Sequence, residues 1–298
     1  MPARLIAGLL ALQLLLVALF VLPGHDPKPR DVPAGVVGTA ALPPVFETHR
    51  YATTEEAIDA IEAREVYGAV AGRTVLVASA ASPTVAQLLG EAAPGATVRD
   101  VVPIAKADPR GATINLAILP LIVVTIPLAL LLARLPRARL LAAVAGFAAA
   151  SGLLTMAFVS IAMDALPGSY LALSAVAALA VLAVALPVAG LVRLLGPPGA
   201  GLGALLFVAV GNPGSGNATA PELLPGFWRV AGPLLPPGAG GQVLRTAAYF
   251  DASALVQPLL VLTAWAAAGA ALIVLARRRS PSAAPEPLPS TPRVAVPA

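Results

Sequence analysis

His25 and His49 are the only imidazoles in the chain, and no cysteine accompanies them. A zinc site needs several His, Cys or carboxylate ligands closing on one ion. Neither histidine has such companions at ligand spacing, so both read as loop or surface residues. No Ser/His/Asp grouping can be assembled either. The pattern G-x-x-x-x-G-K-S/T is absent, so the chain has no P-loop with which to bind ATP. The glycines of Gly196–Gly203 (GPPGAGLG) lack the lysine and the preceding strand of a phosphate loop, and suit close helix packing instead. Asn217-Ala218-Thr219 matches a glycosylation acceptor, a triplet common by chance. No catalytic, cofactor-binding or metal-binding residue follows from these side chains, and an enzyme is not expected.

The elements that carry these residues belong to a membrane. Of 298 residues, 58% are apolar and 11% charged, against about a quarter charged in soluble domains. Mean hydropathy is +0.86 and the pI about 10.0. That basicity does not point to nucleic acid. Only Lys28 and Lys106 are lysines, and the arginines flank apolar runs. A span takes about 20 apolar residues. Leu5–Leu22, Ile114–Ala133, Leu140–Met163, Leu171–Val192 and Leu255–Ala276 satisfy this, and Gly196–Val210 is a shorter sixth candidate. The first run exceeds the apolar core of a signal peptide and lacks a small-residue cleavage site, so it reads as an anchor. No span holds an interior Asp, Glu, Lys, Arg or His, whereas ion-coupled transporters usually keep such a group in the membrane. Pro120, Pro127 and Pro187 are either plain packing kinks or marks of helices that move.

The arginines set direction. Basic residues favour the cytoplasmic side. With Arg4 inside, the second span returns the chain at Arg134, Arg137 and Arg139, the fourth at Arg193, and the last delivers Arg277–Arg279 to the same side. This parity requires Gly196–Val210 to cross. The expected fold is therefore an α-helical polytopic protein of the cell membrane, with six transmembrane helices and both termini cytoplasmic. Its divisions are a first helix over 1–23, an extracytoplasmic α/β domain over 24–111, and a five-helix bundle over 112–276. An external re-entrant or interfacial segment, 211–253, interrupts the bundle, and a disordered tail follows over 277–298.

Within 24–111, Ala34–Leu42 reads as a strand, and Thr53-Thr54-Glu55-Glu56 as a capping box that starts a helix. Thr74–Ala78 is a buried strand, Ser82-Pro83 caps a second helix, and Thr97–Ile104 alternates as a third strand. In the outer segment, Leu223, Leu224, Phe227 and Trp228 beside Glu222 and Arg229 suggest one apolar patch on a short interfacial helix. Val243–Phe250 suggests another.

That outer segment carries a resemblance. Gly211-Asn212-Pro213, Pro221-Glu222-Leu223-Leu224-Pro225, Phe227-Trp228, Leu235-Pro236-Pro237-Gly238, Leu244-Arg245 and Tyr249-Phe250, in this layout of helices, are the features concerned. The chain resembles the bacterial, notably actinobacterial, permease-like membrane proteins related to phage infection protein and to type-2 ABC exporter permeases. The resemblance implies short re-entrant helices at the outer mouth of a transport path. Asn212, Pro213, Glu222, Leu223, Leu224, Pro225, Trp228 and Arg245 are its candidate residues. It also implies export of a lipid or apolar compound with a separate nucleotide-binding subunit. Arg134, Arg137 and Arg139 are then either topology determinants that meet anionic headgroups or a contact for that ATPase. Expected partners are the lipid bilayer, the ATPase subunit and a second copy of the chain, with no nucleic acid and no cofactor. The competing reading is a non-transporting membrane protein whose external domain binds an envelope partner, assists secretion or serves as a phage receptor.

Overall fold

Apolar runs and proline positions dictate most of the architecture. The structure, a computed structural model, describes residues 2–250 and 252–276. Arg277–Arg279 and the tail expected to be disordered lie outside the described residues. Helix α1, Pro2–His25, is apolar over Leu5–Leu22 apart from Gln13 and exposed over most of that length, with Pro23 buried near its end.

A small α/β domain follows. It comprises β1 (Val32–Val37), β2 (Phe46–Tyr51), α2 (Thr54–Glu62), β3 (Gly68–Ala71), β4 (Thr74–Val77), α3 (Pro83–Ala92) and β5 (Thr97–Asp100). The sheet order is β2-β1-β3-β4-β5, with β3 and β4 antiparallel and the other pairs parallel. Five strands form where three were expected. The first runs Val32–Val37, not Ala34–Leu42, because Gly38 turns the chain at φ 82°. Both helix starts lie where the capping chemistry puts them. Thr53 Oγ1 accepts from Glu56 N at 3.1 Å while Glu56 Oε2 accepts from Ala52 N at 2.9 Å. Ser82 Oγ accepts from Val85 N at 3.2 Å, with Pro83 in the first turn. Val85 and Leu89 of α3 bury against the sheet together with Val32, Val75 and Val77.

The remaining helices are α4 (Thr113–Val123), α5 (Thr125–Leu132), α6 (Arg137–Met156, continued by a π-helical stretch Ala157–Ala162), α7 (Tyr170–Leu195) and α8 (Pro197–Gly203, continued by π-helix over Ala204–Val210). After them come α9 (Gly226–Ala231), α10 (Pro236–Tyr249) and α11 (Val256–Leu275). Among the described residues five helices are long and apolar enough to cross a membrane: Ala3–His25, Thr113–Leu132, Arg137–Ala162, Tyr170–Leu195 and Val256–Leu275. Pro197–Val210 is apolar but spans about 20 Å at 1.5 Å per residue, against about 30 Å of hydrocarbon.

Helix α7 is the hub. Its Gly190 lies against Leu272 of α11, its Pro187 against Gly269, and its Ala180 and Ala183 cluster with Leu262. The two helices therefore run in the same direction. Arg137 Nη2 donates to the Ala276 carbonyl at 2.9 Å, so the start of α6 lies beside the end of α11. One end of the bundle thus gathers Arg137 with the neighbouring Arg134, Arg139 and Arg193. The other end carries the α/β domain, joined where Asp108 Oδ1 and Oδ2 accept from Ala112 N and Thr113 N, both at 3.0 Å, at the start of α4.

Parallel α7 and α11 demand that the chain climb back between them. It does so in two halves, and Gly196–Val210 makes only the first. Gly199 of α8 packs on Leu191 and Gly203 on Val188, so α8 ascends α7. Phe207 then meets Trp265 of α11 edge-on, with centroids 5.2 Å apart, near the middle of that helix. Leu234 returns to the same height, its carbonyl accepting from Trp265 Nε1 at 2.9 Å. There α10 begins, climbs past Ala180 at Gly240, and ends against the α/β domain. Within 211–253, the segment expected to be re-entrant or interfacial, α10 is buried from Pro236 through Thr246 except at Gln242.

Candidate functional site

The outer segment of the chain is bolted to the α/β domain. Arg245 of α10, 5% exposed, donates from Nη1 to the carbonyls of Ala81 at 2.8 Å and Ala80 at 3.2 Å, and from Nη2 to that of Asn217 at 2.9 Å. Those carbonyls sit on the turn before α3 and on the loop after the half-helix Pro197–Val210. One planar guanidinium therefore joins three segments, a geometry a lysine does not reproduce. The Asn217 side chain fixes the third: its Nδ2 donates to the Pro237 carbonyl at 2.9 Å, in the first turn of α10.

A second arginine grips α10 from the domain side. Arg64 Nη1 donates to Thr246 Oγ1 at 2.6 Å and to the Gln242 carbonyl at 3.5 Å, and its guanidinium lies 5.2 Å from the Phe250 ring centroid. Arg64 occupies the left-handed region, φ 59°, just past the end of α2. Glycine is usual there, so an arginine in this conformation costs backbone energy that its contacts must offset. Next to it Tyr67 OH donates to Glu222 Oε2 at 2.8 Å. Burial, then the Glu222 carboxylate, hold the Tyr67 phenol well above its ordinary range, so it stays a donor. Burial also pulls the Arg64 guanidinium down, opposed by Tyr67 and Glu222. Between these groups lies a polar cavity of about 160 Å³, lined by Arg64, Glu65, Tyr67 and Glu222.

The expected outer-mouth residues divide in two. Glu222, Leu223, Leu224 and Arg245 meet the domain. Arg30 N donates to the Glu222 carbonyl at 3.1 Å, and Arg30 Nη1 to that of Leu224 at 3.1 Å. Leu223 joins the apolar cluster under the sheet. Pro225 caps α9, whose Phe227 is exposed and whose Trp228 is half-buried against Gly214. Of the four apolar residues read as one interfacial patch, Leu223 is in the domain cluster, Leu224 is buried, Phe227 is exposed and Trp228 is half-buried. Asn212 and Pro213 lie at the height where the two half-helices meet, since Gly211 abuts Pro237. The Asn212 Oδ1 atom is buried there without a hydrogen-bond partner among the described residues. Arg134, Arg137 and Arg139 are at the opposite end of the bundle, all three exposed. Asn217 is 4% exposed with its amide nitrogen engaged, which leaves no room for a glycan. His25 and His49 are exposed, and His49 lies 3.7 Å from Glu47.

Arg64 and Tyr67 escaped sequence reasoning. Their partners are 182 and 155 residues away, and no local pattern flags them. A left-handed non-glycine after a helix is the signal that marks Arg64, and it is visible only in the backbone. Chemically, the arrangement binds and positions. It offers no nucleophile with a base, but it couples the domain rigidly to α10, whose far end lies in the middle of the bundle. No family model matches the chain, and no curated protein or solved structure is similar to it.

Proposed function

We propose that the chain is a permease-like protein of the cell membrane. In this reading it exports a lipid or apolar compound as the transmembrane component of a type-2 ABC-like system. The α/β domain lies outside, the arginine end faces the cytoplasm, and the chain crosses six times with both termini inside. The fifth crossing is the relay of Pro197–Val210 and α10. The observation that carries the reading is the double grip of Arg64 and Arg245 on α10, a helix that starts at mid-bundle. Broken helices meeting at mid-depth are a recurring construction of transport sites, and a helix whose outer end is held by a separate domain can relay that domain's position to mid-depth. At the other end Arg137 is engaged with the Ala276 carbonyl. Arg134 and Arg139, which make no ion pair among the described residues, are then the cations that an ATPase subunit or anionic headgroups would meet.

The test is to purify the tagged chain from its native host and identify what accompanies it, while following efflux of an apolar fluorescent probe from cells with and without the gene. A co-purifying P-loop ATPase whose turnover depends on the chain, together with faster efflux, supports the proposal. A chain that purifies without any ATPase and leaves efflux unchanged belongs with the non-transporting reading, a membrane-held external domain that binds an envelope partner.

A further inference from the structure

One polar side chain lies at the middle of the first apolar helix. Gln13 of α1 interrupts the stretch Leu5–Leu22, whose ends are eight and nine residues away. In a helix that crosses the bilayer, this puts the amide roughly 13 Å from either surface, at 1.5 Å per residue. Snorkelling to the interface belongs to long side chains near helix ends, and Gln13 is neither. Its amide carries two N–H donors and a carbonyl acceptor. Serine and threonine in apolar helices can bond back to a carbonyl of the preceding turn, as Thr125 does with Ile122 at 2.6 Å and Thr263 with Leu259 at 2.7 Å. That route cannot satisfy the acceptor of a glutamine, because every N–H at mid-helix is already taken by the helix's own ladder. The Gln13 Oε1 therefore needs a donor from outside α1, and hydrocarbon holds none. Among the described residues Gln13 makes no hydrogen bond, and it is exposed.

The chain's own bundle does not supply the donor. Helix α1 meets the rest of the protein at Ala204–Val210 and Pro213–Ser215, and Ala18 and Leu19 are its half-buried residues. At about 100° per residue these lie about 140° and 120° from Gln13, one to each side, so the contact face is opposite the glutamine. Pro23, which is buried, stands about 15 Å further along the helix. Ile6, Leu10, Val17 and Phe20 lie within about 60° of Gln13, and all four are exposed. None of the apolar window of α1 is buried, against 22% to 72% in the other four long apolar helices. A face left bare by its own chain thus carries an amide that lipid cannot satisfy.

We infer that α1 is a self-association helix: two copies of the chain pair through this face, and each Gln13 Nε2 donates to the Oε1 of its counterpart. Two arguments favour a second copy over a foreign helix. A glutamine amide complements itself, donor to acceptor in both directions. Identical chains inserted in the same orientation also place Gln13 at the same depth, so a twofold axis along the membrane normal brings the two amides level. A foreign helix would need a polar group of its own at that depth. Residues 6, 10, 13, 17 and 20 follow the alternating four-three spacing of a parallel helix seam, with the apolar four closing it above and below the amides. The pairing requires α1 to span the membrane, and requires nothing of transport or of an ATPase.

The chain contains no cysteine, so the full protein can be tested in proteoliposomes. Thr48→Cys, exposed in β2, carries donor or acceptor dye, and energy transfer is followed as added lipid dilutes the protein. Transfer should fall along a dimer-dissociation curve. Gln13→Leu should move that curve about 5- to 30-fold toward dissociation, the equivalent of about 1–2 kcal/mol. Gln13→Asn should keep most of the affinity, and the melting temperature should not change in either variant, since the side chain faces away from its own bundle. Single cysteines oxidised in the same vesicles locate the seam. Ile6→Cys and Phe20→Cys should form disulfide-linked dimers well ahead of Leu15→Cys and Leu22→Cys, which are exposed on the side away from Gln13. A parent that is monomeric at every dilution, a Gln13→Leu curve that does not move, or cross-linking as fast at Leu15 and Leu22 overturns the proposal. So does an Ile6→Cys variant that, in native-host membranes, cross-links to a different protein, since a foreign helix then holds the face. Efflux and ATPase results do not enter these outcomes, so the two proposals fail separately.

Discussion

Replacing Arg245 with methionine keeps most of the side-chain volume and removes the charge. Three hydrogen bonds disappear, at 2.8, 2.9 and 3.2 Å. Bonds to a charged group contribute roughly 1.5–3 kcal/mol each, so the gross loss is about 5–9 kcal/mol. Burying the guanidinium without a carboxylate costs several kcal/mol in the parent, which the variant recovers. The net is a loss of roughly 2–4 kcal/mol in the attachment of α10 to the domain. Hydrogen exchange in nanodiscs reads this directly, because each 1.4 kcal/mol is about tenfold in an opening equilibrium. Amides of Ala80–Ser82 and of the last two turns of α10 should exchange about 30- to 1,000-fold faster, while those of β1 and β3 stay protected. Arg245→Lys should fall between, since one ammonium cannot fork across carbonyls on two sides. Unchanged protection of α10 in Arg245→Met would refute the idea that this arginine joins the halves.

Three further outcomes follow from other parts of the structure. Gly232→Ala should prevent accumulation of folded protein, because a Cβ there would overlap the Gly214 carbonyl oxygen; Gly201→Ala, which meets nothing within 4 Å, should be neutral or raise the melting temperature slightly. Tyr67 has its folded pKa raised by burial, so its contribution is complete below the unfolded value near 10 and is lost as pH rises above it. Melting scans should therefore show parent stability declining above about pH 10, with a shallower decline in Tyr67→Phe, and equal slopes would contradict the assignment. Arg137→Ala should loosen the end of α11, seen as faster exchange at Ile273–Ala276, whereas Arg134→Ala and Arg139→Ala should leave those amides unchanged.

The long apolar helices were legible because twenty apolar residues have few alternatives, and the two helix starts in the domain because Thr53 with Glu56 and Ser82 with Pro83 are local chemistry. Strand β2, FETHRY, was missed for the opposite reason. It is an edge strand with four consecutive exposed residues, so it shows no alternation. Strand β3, GAVA, is too short and too small-chained to announce itself. Of helix α10 the sequence offers only the second half, Val243–Phe250; the first half opens with Pro236-Pro237-Gly238 and holds Gly240-Gly241. The prolines occupy its first turn, where no N–H is needed, and the glycines permit contact with Ala180 and Asn217. Arg245 entered as a candidate through resemblance alone, and its three carbonyl partners lie 28 to 165 residues away. Positions so distant in sequence meet only once the helices are packed.

The account rests on the α/β domain and the arginine end lying on opposite faces of the membrane. The chain contains no cysteine, so single cysteines can be introduced without background at two exposed positions, Thr48 in β2 and Ala138 in the first turn of α6. Both are treated with an impermeant maleimide on intact cells and again after permeabilisation. The account predicts that Thr48→Cys labels in intact cells and Ala138→Cys only after permeabilisation. Labelling of Ala138→Cys in intact cells, or protection of Thr48→Cys there, would contradict it.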